Sequence, residues 1–312
     1  MHETPYFTSL LKENKPIWAM GVHDALSAKV AEKAGYEAVA IQSLQKSFVN
    51  GLPDVGLIPI TEMLDTVRKV RRAVDLPIMV DFEQGYGDAY AAVHWMHELE
   101  HAGAAAVHID DCGMKYKCVF CPPHVPVLET MESTVEKIRA MAGEKINEDF
   151  MILGRPISYA TTQFKDEQTR RDDWVRRAHA YKDAGSDAIF AIAPSLEHAK
   201  FFRTQVDGPM VIIRTLGTEM REKDNRLEYD DALMNATVQD LFDVGYQIIN
   251  EPSTLLGVAL NAMMAAAVKE RQSGAMVDLL EEHGNLYDIL DTWMEVPEVR
   301  RIRETYCDPS NV

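Results

Sequence analysis

A helix–strand unit that recurs along the 312-residue chain predicts an α/β fold of the (β/α)8 barrel class. In each unit a helical pattern ends at a glycine, and a continuous apolar run follows shortly afterwards. Glycine readily adopts the left-handed conformation that ends helices, and continuous apolar runs are typical of parallel strands covered on both faces. The recurring segments are EKAGYEAVAI, EHAGAAAVHI and KDAGSDAIFAI, with FDVGYQIIN as a weaker fourth.

Eight apolar runs of this kind alternate with helical patterns such as Thr61–Val74, Ala89–Ala102 and Asp172–Ala184. This alternation favours a closed barrel over a doubly wound open sheet, because no G-x-G-x-x-G follows the first strand. The predicted strands are Pro16–Gly21, Ala38–Ser43, Pro77–Glu83, Ala105–Asp111, Phe150–Pro156, Ala188–Pro194, Pro209–Thr215 and Gln247–Pro252.

We expect one barrel domain over residues 1–312, because no linker rich in Pro, Ser or Gly divides the sequence. Its last part, residues 254–312, is a predicted C-terminal helical extension. The segment Thr254–Glu270 is apolar or small on most faces, and such a helix requires burial on every side. It is either a core helix of the barrel or a helix exchanged between subunits, and the sequence leaves both readings open.

Composition and charge argue against several classes of function. Lys and Arg number 32 and Asp and Glu 49, which gives a net charge of -17. So acidic a chain lacks the basic surface of nucleic-acid binders and is repelled by anionic membranes. There is no signal-peptide pattern, the apolar stretch Leu255–Val268 is too short for a span, and four cysteines make no disulfide framework. We therefore expect a cytoplasmic protein that binds neither nucleic acid nor membrane.

Charged side chains stand where the predicted strands end, which is where barrels of this class carry their active sites. Asp81 and Glu83 are two residues apart on one strand and therefore face the same side, and Asp110 ends the next strand. Three converging carboxylates repel one another unless a cation lies between them, and oxygen ligands suit Mg2+. The alternative is that these acids cap helices or face solvent.

Two arginines, Arg155 and Arg214, stand at the ends of two further predicted strands. Each could pair with an acid of the protein, or could hold a substrate carboxylate or phosphonate with two hydrogen bonds. The sixth strand differs, because it ends in Ala191, Ile192 and Ala193 and supplies no titratable side chain.

The loop after the fourth predicted strand is long and rich in cysteine, and long loops at this end of a barrel are often lids. Cys118 could act as an acid or base there, its pKa lowered by Lys115 and Lys117. Alternatively, the spacing Cys118-x-x-Cys121 followed by His124 could hold zinc. A free thiol in a mobile loop is the third reading.

At these positions the chain resembles the isocitrate lyase / phosphoenolpyruvate mutase superfamily. Arg155 also stands where that superfamily carries its substrate arginine. The resemblance runs loosely over residues 16–270. The stretches that carry it are Gly21–Gly35, similar to the first βα unit; Gly51–Gly56 (GLPDVG), similar to a gating loop that includes an Asp, here Asp54; Val80–Gly87 (VDFEQGYG), similar to D-x-D-x-G-Y-G; and His108–Asp111 (HIDD), similar to H-x-E-D.

The resemblance implies a dimer or tetramer with exchanged eighth helices and a requirement for Mg2+ or Mn2+. It implies small anionic substrates, namely 2-oxo acids, their hydroxyacid adducts or phosphonates. The metal ligands that it implies are Asp81, Glu83 and Asp110. The implied substrate-binding residues are Ser43, Leu44, Asp81, Arg155 and Arg214, and the candidate catalytic residues are Cys118, Asp54, Lys115 and Lys117.

Several positions depart from the superfamily pattern. Glu83 replaces the second Asp of the metal motif, Asp110 replaces the Glu of H-x-E-D, and Leu44 stands where Gly usually follows the Ser. The lyase lid K-R-C-G-H is matched only by Lys115-Tyr-Lys-Cys118. The Asn of the mutase lid is absent, and so is the Glu or His that usually follows strand six.

These residues favour a Mg2+-dependent lyase or hydrolase that cleaves or forms a C–C bond next to the carbonyl of a small 2-oxo acid or hydroxy-di- or tricarboxylate. An enolate intermediate is expected. The first alternative is C–P chemistry, as a mutase or hydrolase acting on phosphoenolpyruvate or phosphonopyruvate. A further alternative is a barrel that has lost catalysis and serves as a binding or assembly subunit.

Overall fold

Eight parallel strands close into a barrel in the computed structural model, which describes residues 4–113, 127–161, 163–214, 231–275, 284 and 289–307. Each strand pairs with the next along the chain, and the last pairs with the first. The predicted fold class is confirmed, and the open sheet was the wrong alternative. The strands are β1 (Ile17–Gly21), β2 (Ala38–Ile41), β3 (Ile78–Asp81), β4 (Ala106–Asp110), β5 (Met151–Arg155), β6 (Ala188–Ala191), β7 (Met210–Ile213) and β8 (Ile248–Glu251).

Helices fill the connections between these strands. In the described part they are α1 (Phe7–Lys12), α2 (Ala25–Ala34), α3 (Ser43–Val49), α4 (Ile60–Ala73), α5 (Ala89–Ala102), α6 (Met131–Gly143), a 3-10 turn (Ser158–Ala160), α7 (Glu167–Asp183), α8 (Leu196–Gln205), α9 (Asp231–Asn235), α10 (Val238–Val244), α11 (Thr254–Ser273), α12 (Leu290–Trp293) and α13 (Val296–Tyr306).

Local capping explains where the recurring units begin and end. Gly35, Gly103 and Gly245 end α2, α5 and α10 in the left-handed conformation, as the repeated sequence pattern predicted. The helix α7 begins five residues before the predicted Asp172, because the Asp166 carboxylate accepts a hydrogen bond from the Thr169 N–H at 2.8 Å.

Alternating side chains on the strands divide the core into an interior and an outer layer. On β3, Met79 belongs to the barrel interior, whereas Ile78 and Val80 pack against the helices. Asp81 follows in the alternation and therefore faces the interior. Phe7 of α1 is fully buried in the same interior cluster. The barrel is therefore a packed core, and its polar interior positions lie toward the carboxyl ends of the strands.

Two compact units are distinguished along the chain, residues 1–256 and residues 257–312. The first contains all eight strands, and the second begins within α11. The assignment of all 312 residues to a single domain stays a prediction. In the part of the chain that the structure describes, no helix combines the length and the apolar character needed to cross a membrane.

Candidate active site

Three buried carboxylates meet at the carboxyl ends of β3 and β4. Asp81 ends β3, Glu83 follows two residues later, and Asp110 ends β4. Each offers an oxygen, and the three oxygens all lie within 4.8 Å of one another. The structure thus brings together the three residues that the sequence proposed as metal ligands.

The turn after β3 is held in an unusual conformation that aims Glu83 at the other two acids. Glu83 and Tyr86 both have positive φ angles, 53° and 56°. For residues other than glycine this conformation costs about 1–3 kcal/mol and persists only where the surroundings enforce it. Buried Lys137 of α6 supplies part of that support, because its ammonium donates to the Gln84 carbonyl at 2.9 Å and to the Glu129 carboxylate at 2.8 Å.

Ser43, the first residue of α3, orients the Asp81 carboxylate. Its hydroxyl donates to Asp81 Oδ2 at 2.8 Å, and its backbone N–H reaches the same oxygen at 3.2 Å. The Glu83 N–H donates to the other oxygen, Oδ1, at 3.0 Å. Ser43 therefore belongs to the site, and half-buried Leu44 follows it on the same helix.

Among the residues that the structure describes, acids outnumber basic side chains around this site. Burial raises the pKa of Asp110 to about 7, nearby Arg155 opposes this, and the charge of Asp81 adds to it. Burial also lowers the pKa of His108 to about 4, so that its imidazole is neutral at pH 7. A divalent cation among the three carboxylates would offset their mutual repulsion, and an all-oxygen donor set suits Mg2+ or Mn2+. The residues present therefore fit the metal.

Arg155 faces the barrel interior beside these acids. Its guanidinium carbon lies 5.1 Å from the centroid of the Phe190 ring. Within the described part of the chain the Arg155 Nε is buried without a hydrogen-bond partner, and the side chain forms no ion pair. This arrangement favours the reading in which Arg155 binds an anionic ligand.

Arg214 is placed differently from the sequence expectation. It follows β7 at a position that alternates with Ile213 of the interior, so its side chain faces outward. There it donates to the carboxylate of Glu251 and to the Ala236 carbonyl. The structure favours the alternative of an internal ion pair, and Arg214 is not brought to the carboxylate cluster.

Tyr86 is a site residue that the sequence reasoning missed, although it stands in the quoted VDFEQGYG stretch. Burial of the Tyr86 hydroxyl raises its pKa, and the negative charges of Asp81, Asp54 and Asp110 raise it further. Asp54, on the loop after α3, is one of the charges that raise the pKa of Tyr86. Gln42 and His108 stand at strand ends in the sequence but were assigned no role there; in the structure the His108 Nε2 lies 3.2 Å from the Gln42 Oε1. Lys137, which supports the turn after β3, could not be found from the sequence.

The proposed lid residues Lys115, Lys117 and Cys118 lie outside the described residues, as do Cys121 and His124 of the zinc reading. The neighbouring Cys112 is described and buried, and its N–H donates to Asp110 Oδ1 at 3.1 Å. Burial, and then the charges of Asp110 and Asp111, raise the pKa of the Cys112 thiol. In the absence of a metal, Cys112 therefore stays protonated at neutral pH.

Comparison with known proteins agrees with this site. The sequence profile described as phosphoenolpyruvate phosphomutase matches residues 7–270. The chain belongs to the phosphoenolpyruvate phosphomutase family. This confirms the superfamily that the motifs predicted, and the curated relatives of the chain are enzymes, among them 2-methylisocitrate lyases and an oxaloacetate decarboxylase.

Several known proteins resemble this chain over nearly its whole length. The 2,3-dimethylmalate lyase of Eubacterium barkeri is 28% identical over 314 residues, which cover 98% of this chain and 99% of that protein. A phosphoenolpyruvate phosphomutase from Streptomyces platensis subsp. rosaceus has a similar crystal structure, with a TM-score of 0.86, 21% identity, and coverage of 98% of this chain and 100% of that one. Phosphonopyruvate hydrolase in complex with oxalate and Mg2+ has a TM-score of 0.80, 19% identity, and coverage of 97% and 98%. At these identities the two structures show a shared fold alone.

Proposed function

We propose that this protein is a Mg2+- or Mn2+-dependent enzyme that cleaves or forms a C–C bond next to the carbonyl of a small 2-oxo acid or hydroxy-di- or tricarboxylate. The observation that carries this proposal is the cluster of three buried carboxylates at the barrel mouth, beside Arg155. The similarity to 2,3-dimethylmalate lyase over nearly the whole of both chains supports C–C chemistry.

Asp81, Glu83 and Asp110 would hold the divalent cation, directly or through water. When bound, the cation supplies Lewis-acid stabilisation of negative charge that develops on a substrate oxygen, as in an enolate. The protein contributes the fixed direction of the ligands: Ser43 and the Glu83 N–H hold the Asp81 carboxylate, and the Cys112 N–H holds that of Asp110. Such support of metal ligands commonly changes affinity or activity by about 10–100-fold.

Arg155 is proposed to bind the substrate carboxylate, helped by N–H groups near Leu44. Ser43, which the resemblance offered for the same role, donates both its hydroxyl and its N–H to Asp81 and would act by fixing that metal ligand. Its interior position and its lack of an ion pair within the described residues support this role. Asp54 lies on the loop that would close over the site. Cys118, with Lys115 and Lys117 beside it in sequence, is proposed to carry the proton to or from the enolate carbon.

The assay that tests this function follows cleavage of 2,3-dimethylmalate and related hydroxy acids in the presence of Mg2+, with detection of 2-oxo acid products. We expect turnover that EDTA abolishes and Mg2+ restores. Cys118→Ser should reduce turnover strongly and leave Mg2+ binding intact, whereas the control Cys307→Ser should change neither. Unchanged turnover in Cys118→Ser would exclude the proposed role of that thiol.

C–P chemistry is the second candidate, supported by the matching family profile and by the fold shared with phosphonopyruvate hydrolase. Arg214, which the sequence offered as a possible phosphonate-binding residue, does not support this candidate, since its side chain is engaged with Glu251. Phosphorus NMR after incubation with phosphonopyruvate separates the candidates: appearance of phosphoenolpyruvate or inorganic phosphate indicates C–P chemistry. If the protein binds no divalent cation, the hypothesis of a catalytically inactive barrel is favoured instead.

We further propose a homo-oligomer, a dimer or tetramer, in the cytoplasm. Support for association comes from α11, which exposes the apolar side chains of Val258, Leu260, Met263 and Met264. A contiguous patch of large exposed apolar side chains usually marks a protein–protein interface. Light scattering after gel filtration gives the mass, and a strictly monomeric protein would contradict this proposal.

A further inference from the structure

Buried Lys137 of α6 joins two segments of the chain that are far apart in sequence. It retains 5% of its exposure, and its ammonium donates to the Gln84 carbonyl at 2.9 Å and to the Glu129 carboxylate at 2.8 Å. The Glu129 carboxylate also accepts a hydrogen bond from the Ser133 hydroxyl at 3.1 Å. Desolvating an unpaired charge is very costly, so a buried ammonium is held firmly by a carboxylate beside it. The Lys137–Glu129 pair is therefore a fixed contact between α6, the segment before it and the turn after β3.

On the β3 side, the pair supports the turn from which Glu83 projects. Gln84, whose carbonyl accepts from Lys137, directly follows Glu83. Glu83 has a φ of 53°, and a residue other than glycine keeps that conformation only where its surroundings enforce it. The Lys137 stem packs against the same turn, because its Cδ lies 3.6 Å from the position that a Cβ would take on Gly85. Loss of the Lys137 side chain would therefore leave the direction of Glu83 less well fixed.

On the β4 side, the pair supports the strand end that carries Asp110. The Glu129 N–H donates to the Asp111 carbonyl at 2.7 Å, and Asp111 directly follows Asp110. The two ligand-bearing segments also contact each other, since the Asp110 N–H donates to the Glu83 carbonyl at 2.8 Å. The pair thus holds both of the segments whose spacing sets the distance between the Glu83 and Asp110 carboxylates.

The spacing of the carboxylates matters more for Mg2+ than for Ca2+. Mg2+ requires a nearly ideal octahedron with ligands at about 2.0–2.1 Å, whereas Ca2+ accepts about six to eight oxygens at about 2.3–2.6 Å in variable geometry. A site whose ligands are fixed can therefore favour the smaller ion, and a site whose ligands can move apart loses that preference. Selectivity between the two cations thus reports how firmly the ligands are held.

We propose that Lys137 is a positioning residue that, through its pair with Glu129, makes the carboxylate cluster selective for Mg2+ over Ca2+. This inference rests on the proposed function, because it assumes that Asp81, Glu83 and Asp110 hold a divalent cation. The charge of Lys137 acts in the opposite direction. Its removal alone would strengthen the binding of both cations to a similar degree, because both carry two positive charges.

Calorimetric titration of the full-length protein with Mg2+ and with Ca2+ tests the proposal. Lys137→Met keeps an unbranched apolar stem and removes the ammonium. Its Mg2+ affinity should fall about 10–100-fold, as is common when the support of a metal ligand is removed. Its Ca2+ affinity should fall by a smaller factor, because Ca2+ tolerates displaced ligands, so the ratio of the two affinities should fall.

Glu129→Ala removes the other member of the pair and should lower the same ratio. Its charge effect has the opposite sign, because it removes a negative charge, so a decrease shared by both variants cannot come from charge. The matched control is Lys145→Met, which should lower the melting temperature and leave the ratio unchanged. Lys145 also donates to a carbonyl, that of Phe150 at 3.0 Å, and to a carboxylate, that of Asp187 at 3.2 Å. Both partners precede the amino ends of β5 and β6, at the end of the barrel opposite the site.

Each outcome decides a claim. If the wild type binds neither cation, the proposed function fails and the inference fails with it. If the wild type has no preference for Mg2+, or if Lys137→Met and Glu129→Ala both keep the wild-type ratio, the inference fails and the proposed function stands. Tighter binding of both cations by Lys137→Met would assign Lys137 a role through charge alone, and an equal change of the ratio in Lys145→Met would assign the effect to a general loss of stability; either result overturns the inference. Glu129→Ala decides the question if Lys137→Met does not fold.

Discussion

At the scale of single residues, three buried carboxylates have oxygens within 4.8 Å of one another, and their mutual repulsion is electrostatically unfavourable. Moving an ionised carboxylate out of water is costly, and like charges nearby add to that cost. Arg155 is the basic side chain whose charge opposes the raised pKa of Asp110. Within the described residues one arginine does not balance three acids, and we propose that a divalent cation supplies the missing positive charge.

Replacement of Asp110 by Asn tests whether the three carboxylates repel one another and hold a metal ion. Asp110→Asn removes one negative charge and one metal ligand, so Mg2+ affinity should fall by more than the roughly 10–100-fold lost when a supporting group is removed. Without metal the variant should be at least as stable as the wild type, because repulsion is relieved. Calorimetry and thermal unfolding measure the two effects. The control Asp65→Asn changes an exposed carboxylate on α4, and weakened metal binding there would point to a nonspecific charge effect.

The two arginines at strand ends should respond in opposite ways. Arg214→Gln leaves the buried Glu251 without its partner, and breaking a buried ion pair costs about 3–5 kcal/mol. Arg155→Gln breaks no ion pair within the described residues, so stability should change little and oxalate binding should weaken. Urea unfolding and oxalate titration on both variants check this. The assignment fails if Arg214→Gln unfolds like the wild type and loses oxalate binding.

At the scale of elements, a buried network fastens β4 to α7 behind the site. The Asp111 carboxylate accepts hydrogen bonds from Tyr181 at 2.5 Å, from Arg177 at 3.0 Å and from the Ile157 N–H at 2.9 Å. Arg177 also bonds to Asp173 at 2.9 Å. Because Asp111 directly follows Asp110, this network fixes the end of β4 from which a metal ligand projects.

Tyr181→Phe removes one donor of this network and keeps the ring that packs in the core. A hydrogen bond to a charged acceptor contributes about 1.5–3 kcal/mol, and we expect a loss of stability of that order. Urea unfolding measures it. Tyr90→Phe, at an exposed position of α5, is the matched control and should have no effect. A stable Tyr181→Phe would mean that Asp111 is satisfied by Arg177 and the backbone alone.

The strands and helices also show which features of the fold can be predicted from the sequence. Helix ends at glycine and continuous apolar runs predict the eight strands, because both signals are local. The face on which a side chain lies is not predictable from such runs, since strands covered on both sides lose the alternation that marks a half-buried strand. Arg155 and Arg214 therefore look alike in sequence, yet one faces the interior and the other faces outward. Lys137 and Tyr181 donate hydrogen bonds to residues of other elements, and no local sequence pattern predicts such long-range contacts.

At the scale of the whole molecule, a chain of net charge -17 is proposed to bind anions. That requires a local positive centre, and among the described residues the cluster of Asp81, Glu83 and Asp110 brings acids close enough together to hold a divalent cation. A divalent cation taken up from solution would supply that positive centre, and its binding would be coupled to the stability of the whole fold.

This coupling predicts stabilisation by metal. Mg2+ at about a hundred times its dissociation constant should add about 2.7 kcal/mol to the free energy of unfolding. EDTA should reverse the gain, and Asp110→Asn should show a much smaller one. Thermal unfolding with and without Mg2+ measures it. The same gain in Asp110→Asn would place the stabilising ion somewhere other than the carboxylate cluster.

The measurement that bears most directly on the central claim is anomalous diffraction from crystals soaked with Mn2+ and oxalate. The predicted result is one strong anomalous peak among the carboxylates of Asp81, Glu83 and Asp110, with oxalate extending from it toward Arg155. Well-ordered crystals with no peak between these three side chains, or with oxalate bound away from them, would contradict the assignment of this site.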